Sequence, residues 1–106
     1  MKLKEYLLPG WNGKNIEKEI AINNIIIKLL GINLSIDPPE EGRRNLVAVD
    51  EYDNIIWIAN LPSEQKIYGF YGQIVYENGI LKAWCGSFYC EIDPNDGKIL
   101  AEEFVK

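Results

Sequence analysis

The stretch Asn15–Ile36, NIEKEIAINNIIIKLLGINLSI, decides whether this chain is all-β or mixed. As far as Leu30 it can be scored as a helix. Against that, Ile16, Ile20, Ile22, Ile25, Ile26 and Ile27 are β-branched. Such side chains lose rotamer freedom in a helix and suit a pleated surface. Asn23-Asn24 separates two isoleucine-rich runs, as a turn does. Strands are therefore expected. A helix over Asn15–Leu30 is the alternative.

Working outward, DPPEEGRR (Asp37–Arg44) reads as a polar loop, because Pro38-Pro39 excludes both helix and central strand. From Leu46 onward, turn signals arrive at short intervals between strand-like runs: NLVAVD, IIWIANL, KIYGFYGQIVYE, ILKAW, FYCEI and KILAEEF. Asn78-Gly79 suits a type I′ hairpin, and Gly86-Ser87 marks a second break. The expected fold is all-β: an antiparallel meander of at least six strands from Leu46 to Phe104. The N-terminal segment completes a small sandwich or flattened barrel. Neither side of the proline loop could bury a core alone, so residues 1–106 read as one domain.

At 106 residues, with 47% apolar and 25% charged, the composition is that of a folded protein. The net charge of −5 repels phosphates, which argues against nucleic acid and for a basic protein partner. The absence of histidine removes Ser-His and Cys-His catalysis, HExxH proteases and most zinc sites. The N-terminus MKLKEYLLPGW is broken by Glu5 and Pro9 and is not a signal peptide. No apolar run reaches membrane-spanning length. A cytoplasmic location with reduced thiols and no membrane partner is expected.

Two segments share a motif: VDEYDNIIWIA and IDPNDGKILAE, with Asp50 and Asp93 separated by 43 residues. At that spacing Asp53 aligns with Asp96, Asn54 with Gly97 and Ile56 with Ile99. Asparagine and glycine both accept positive φ, so a left-handed residue closing a hairpin is expected at Asn54 and at Gly97. Each leading Asp can accept hydrogen bonds from turn amides, and Pro94 suits a fixed-φ turn position. A calcium loop would need oxygens at alternate positions and a distal bidentate Glu, which are missing. The Asp-x-x-Asp-Gly-x-Ile pattern also resembles blade hairpins of quinoprotein-type propellers, but two copies cannot close a ring. The motif reads as two hairpin turns, with no metal and no cofactor expected.

Cys85 and Cys90 flank GSFY, and a hairpin at Gly86-Ser87 places them diagonally on one side, too far apart for an unstrained disulfide. Buried free thiols are expected. Asp50-Glu51 and Glu102-Glu103 are sequence neighbours that point to opposite faces if they lie in strands. Glu40-Glu41 reads as solvated charge, and Arg43-Arg44 as an exposed loop dyad. No catalytic residue emerges, so the chain reads as a non-enzyme. Along KIYGFYGQIVY one face carries Ile67, Tyr71 and Val75, and the other Tyr68, Phe70, Ile74 and Tyr76. With Trp57, Trp84, Phe88 and Tyr89 on neighbouring strands, these aromatics supply core packing and, in part, a protein-binding face.

The stretch NLVAVDEYDNIIWIANLP and the later EIDPNDGKILAEEFVK resemble small bacterial immunity proteins, the inhibitors encoded beside polymorphic or contact-dependent growth-inhibition toxins. The Asn-, Ile- and Lys-rich composition is also what an AT-rich bacterial locus encodes. The resemblance spans roughly Asn45 to Lys106 and implies a compact acidic inhibitor that plugs a cognate toxin domain, often a nuclease. Because hairpin tips are exposed, the candidate partner-binding residues are Glu51, Tyr52, Asp53, Glu64 and Glu77. The alternative function is a small-ligand-binding or structural β-domain with an aromatic-lined face.

Overall fold

The computed structural model describes residues 1–6, 16–32, 43–62 and 69–105. Within Asn15–Ile36 the described residues form two strands, β1 (Ile16–Ile22) and β2 (Ile25–Leu30). Asn23 takes a left-handed φ of 54° in the two-residue turn across which Ile22 pairs with Ile25. Isoleucine burial accounts for the choice, since Ile22 and Ile27 enter the main core and Ile20 and Ile25 pack against it.

Six strands follow: β3 (Leu46–Val49), β4 (Ile55–Ile58), β5 (Tyr71–Glu77), β6 (Ile80–Cys85), β7 (Phe88–Ile92) and β8 (Ile99–Phe104). A single helical turn, α1 (Leu3–Tyr6), precedes them all. The fold is all-β. Among the described residues the strands make two antiparallel sheets of four, in the orders β1-β2-β3-β4 and β5-β6-β7-β8, not closed into a barrel. The six strands from Leu46 to Phe104 are present, but they divide between the two sheets after β4.

The main core lies between the sheets. Ile27, Leu46, Ala48 and Trp57 of the first meet Tyr71, Ile74, Leu81, Ala83 and both cysteines of the second. β3 is buried along its whole length because it has a second apolar face. There Val47 and Val49 pack with Leu30 and with Leu3 from α1. This explains why LVAV reads as a continuous apolar run rather than an alternating one.

The seam between the sheets is held by polar side chains. The Asn45 amide nitrogen donates to the carbonyls of Leu30 and Tyr71, both at 2.7 Å, and its oxygen accepts from Tyr71 N–H at 2.8 Å. Arg43 donates to the Gly69 carbonyl at 2.6 Å, and Arg44 to those of Ala59 and Ile58. The arginine pair is therefore not the exposed dyad expected from sequence. Arg43 is 5% exposed and is recruited by a backbone carbonyl at the seam, while Arg44 is held by carbonyls at the end of β4 in its own sheet.

β5 also departs from expectation. It starts at Tyr71, and its pairing with β6 is irregular between Tyr71 and Gln73. The extra residue at Gly72 resets the alternation, so Tyr71 and Ile74 are both buried instead of lying on opposite faces. The expected positions of Ile67 and Tyr68, the loop residues Asp37–Gly42 and the carboxylate Glu64 lie outside the described residues.

Candidate functional site

Both copies of the Asp motif are hairpin turns built on one device. Asp50 Oδ1 accepts from the Tyr52 and Asn54 amides at 2.8 and 2.9 Å, and Asp93 Oδ1 from the Asn95 amide at 2.9 Å. The loops differ by one residue. Asp50 N–H bonds the Asn54 carbonyl, enclosing Glu51–Asp53, whereas Asp93 N–H bonds the Lys98 carbonyl, enclosing Pro94–Gly97. In each loop the last enclosed residue is left-handed: Asp53 at φ 68° and Gly97 at φ 78°. The expected left-handed residue at Asn54 is thus corrected to Asp53. Asn54 is instead the closing residue, and its Nδ2 donates to Asp50 Oδ2 at 3.0 Å. The shorter first loop moves the special backbone position forward by one.

That first turn is docked as well as closed. Leu3 N–H donates to the Asp53 carbonyl, Ile55 N–H to the Met1 carbonyl, and Lys2 Nζ to the Tyr52 carbonyl at 2.6 Å. The Asp53 carboxylate accepts from the Lys4 amide at 3.4 Å and lies 4.0 Å from Lys28 Nζ. The hydrogen bond from the Asn54 side chain, then those from backbone amides, hold the Asp50 carboxyl below its ordinary range. Among the described residues no group of three His, Cys, Asp or Glu side chains could hold a metal ion.

The sequence-selected residues therefore separate. Glu51 and Tyr52 are exposed at the tip of the first turn, with Tyr52 67% exposed. Asp53 beside them is half-buried and engaged by the N-terminal segment. Glu77 belongs to the other sheet, at the end of β5, where Lys82 Nζ bonds it at 2.6 Å. That contact lowers the Glu77 carboxyl and raises the Lys82 ammonium from their ordinary values. Asn78 and Gly79, both at positive φ, form the expected type I′ turn beside it.

Glu77 belongs to a surface that the sequence reading did not assemble. β5–β8 turn Ile74, Leu81, Ala83 and Cys90 into the core, so their alternate residues share the opposite face. Across it run a row of Gln73, Trp84, Tyr89 and Glu103, a row of Val75, Lys82, Glu91 and Ala101, and the pair Glu77–Ile80. Trp84 and Tyr89 pack with ring centroids 5.4 Å apart and planes tilted by 52°. Tyr89 donates its hydroxyl to Glu91 at 2.8 Å. Burial first, and then Glu91, raises the Tyr89 phenol. Three carboxylates and a tryptophan–tyrosine pair thus share this face with Lys82. The alternation of Tyr89 with Cys90 and Glu91 was the available signal, but it needed the register with Trp84.

Two other places have candidate chemistry. Cys85 and Cys90 are free and fully buried, and burial pushes their thiols up to about 12 and about 11. Cys85 pairs with Phe88 and Cys90 with Ala83, the diagonal placement expected. Such thiols stay protonated at neutral pH and are poor nucleophiles. A cleft of about 180 Å³ lies at the seam, lined by Glu17, Leu29, Gly31, Asn45, Phe70 and Tyr71. It is smaller than ordinary small-molecule pockets, and the Asn45 amide inside it is spent on backbone partners.

Among the described residues no helix is long and apolar enough to cross a membrane. Residues 13–104 match the family described as a domain of unknown function, DUF7957, and the chain belongs to that family. No curated protein matches the chain.

Proposed function

We propose that this DUF7957 chain is a non-enzymatic, stoichiometric inhibitor of immunity type, acting in the cytoplasm on a cognate bacterial toxin domain with a basic surface. The carrying observation is the outer face of β5–β8, where Glu103 and Glu91 flank Tyr89 of the Trp84–Tyr89 pair and Glu77 lies two rows away beside Lys82. Tyrosine and tryptophan supply large contact areas at low entropic cost and dominate protein-binding energy. Carboxylates beside them steer a positive partner, and a net charge of −5 extends that field. A nuclease fits this chemistry, because its phosphate-binding groove is positive and carboxylates can occupy it in place of substrate. Glu51 and Tyr52 on the first turn offer a second exposed acid–aromatic contact.

The test is co-expression with the product of a toxin-like reading frame adjacent to the gene. The expected result is a one-to-one complex in which the toxin activity is lost. A toxin that stays active and unbound, or turnover of a small substrate by the isolated chain, overturns the reading.

A further inference from the structure

The two sheets have four edges, and three carry identifiable guards. β1 presents Glu17, Lys18 and Glu19 in succession. β4 is flanked by the N-terminal segment, through Ile55 N–H to Met1 and the Lys2–Asn54 bridge, and Arg44 takes the carbonyls of Ile58 and Ala59. Along β5, Lys18 Nζ takes the Ile74 carbonyl at 2.7 Å, and Asn45 takes both backbone groups of Tyr71. β8 differs. Among the described residues no hydrogen bond reaches its outer edge, and Leu100 and Phe104 are 65% and 62% exposed. Neither lysine nor proline, the usual edge protectors, occurs between Ile99 and Phe104. Val105 N–H points inward to the Ser87 carbonyl at 2.6 Å, so by alternation Glu102 and Phe104 direct their own N–H and C=O outward.

Resting on the protein-binding reading above, we propose that β8 is the docking edge, to which an extended basic segment of the partner adds as a further antiparallel or parallel strand. Main-chain bonds to Glu102 and Phe104 supply the pairing. Glu102 and Glu103, on opposite faces, select lysine or arginine in the incoming strand, and Leu100 and Phe104 give apolar contact. A second copy of this chain fits less well. In the register centred on Glu102 that residue faces its own copy, and in the register centred on Glu103 that one does.

The probe is a synthetic peptide alternating lysine and threonine, with a glutamate–threonine peptide as control. Binding is followed by fluorescence anisotropy and by hydrogen exchange at the Glu102 and Phe104 amides. The basic peptide is expected to bind and to slow exchange at those two amides, and the acidic one is not. Glu102→Pro removes an outward donor without breaking a bond to β7 and should weaken binding about tenfold or more, whereas Glu102→Gln keeps the donor and weakens it less. Should the proline variant fold poorly by circular dichroism, the exposed double variant Glu102→Lys/Glu103→Lys serves instead, and it should switch preference to the acidic peptide. Protection confined to residues outside β8, no binding, equal binding of both peptides, or self-association of the chain in sedimentation overturns the proposal. In the co-expression experiment, a Glu102→Pro chain that still captures the toxin as wild type does refutes the edge while leaving the inhibitor reading intact. A wild-type chain that captures nothing refutes the inhibitor reading, and the peptide result then judges the edge alone.

Discussion

Gly97 sits at φ 78°, and a Cβ added there would lie 2.5 Å from the Trp57 ring. Two independent penalties meet, left-handed strain and overpacking, so Gly97→Ala should cost about 2–4 kcal/mol in urea unfolding. The first turn places its glycine-tolerant position elsewhere. Asp53→Gly should leave stability within about 0.5 kcal/mol, because relief of positive φ offsets two long contacts. Asn54→Gly should cost about 1 kcal/mol, because it deletes the side-chain bond to Asp50 and loosens the closing residue. Asp50 titrates in the same turn. Its folded carboxyl is depressed, so its contribution is complete above the ordinary aspartate value and is lost as pH falls through the folded value. Asp50→Asn should flatten that acid limb in unfolding midpoints measured from neutral pH downward. The thiols behave oppositely. Their folded values of about 12 and about 11 lie above the unfolded one, so stability falls as pH rises from about 8.5. Replacing Cys85 and Cys90 together by Ala should remove that alkaline slope.

Asn45 shows how elements rather than residues are joined. It stands just before β3, yet its amide serves the end of β2 and the start of β5, one strand from each sheet. Truncation leaves three buried backbone groups without their partner at once. Asn45→Ala should therefore cost about 3 kcal/mol, read from chemical denaturation, far more than an exposed asparagine would. The second motif copy performs a comparable task. Trp57 of β4 donates its indole N–H to the Pro94 carbonyl at 2.9 Å, so the loop before β8 in one sheet seats on a tryptophan of the other. The two turns were legible as turns from Asp50 and Asp93 alone. That one is clasped by the N-terminal segment and the other by Trp57 depended on contacts between residues distant in sequence.

For the molecule as a whole, charge and surface aromatics set what it can meet. A net charge of −5 favours rapid encounter with a positive surface, an effect that salt screens beyond roughly 8 Å at physiological ionic strength. Reversing Glu77 and Glu103 to Lys should slow association with the proposed basic partner about tenfold at low salt and change dissociation less. Stopped-flow traces at two ionic strengths check this. Rates unaffected by the reversal would place the contact elsewhere, with Glu51 and Tyr52 as the next surface to vary.

Much of this fold is written locally. β-branched and aromatic residues flanking Asn23-Asn24, Asn78-Gly79 and Gly86-Ser87 specify strands and hairpins, because turn chemistry and side-chain stiffness act over a few residues. The diagonal placement of Cys85 and Cys90 followed from the same local geometry. What lay beyond the sequence depends on partners far along the chain. The Gly72 bulge and the recruitment of Arg43 and Asn45 arise where one sheet meets the other, whereas the two Asp loops, one residue apart in length, are seated on different partners, the N-terminal segment and Trp57. The face that unites Glu77, Trp84, Tyr89 and Glu103 exists only once four strands hold a common register. Alternation tells which residues of one strand share a side. Only tertiary packing decides which side is turned to the core and which is left to solvent.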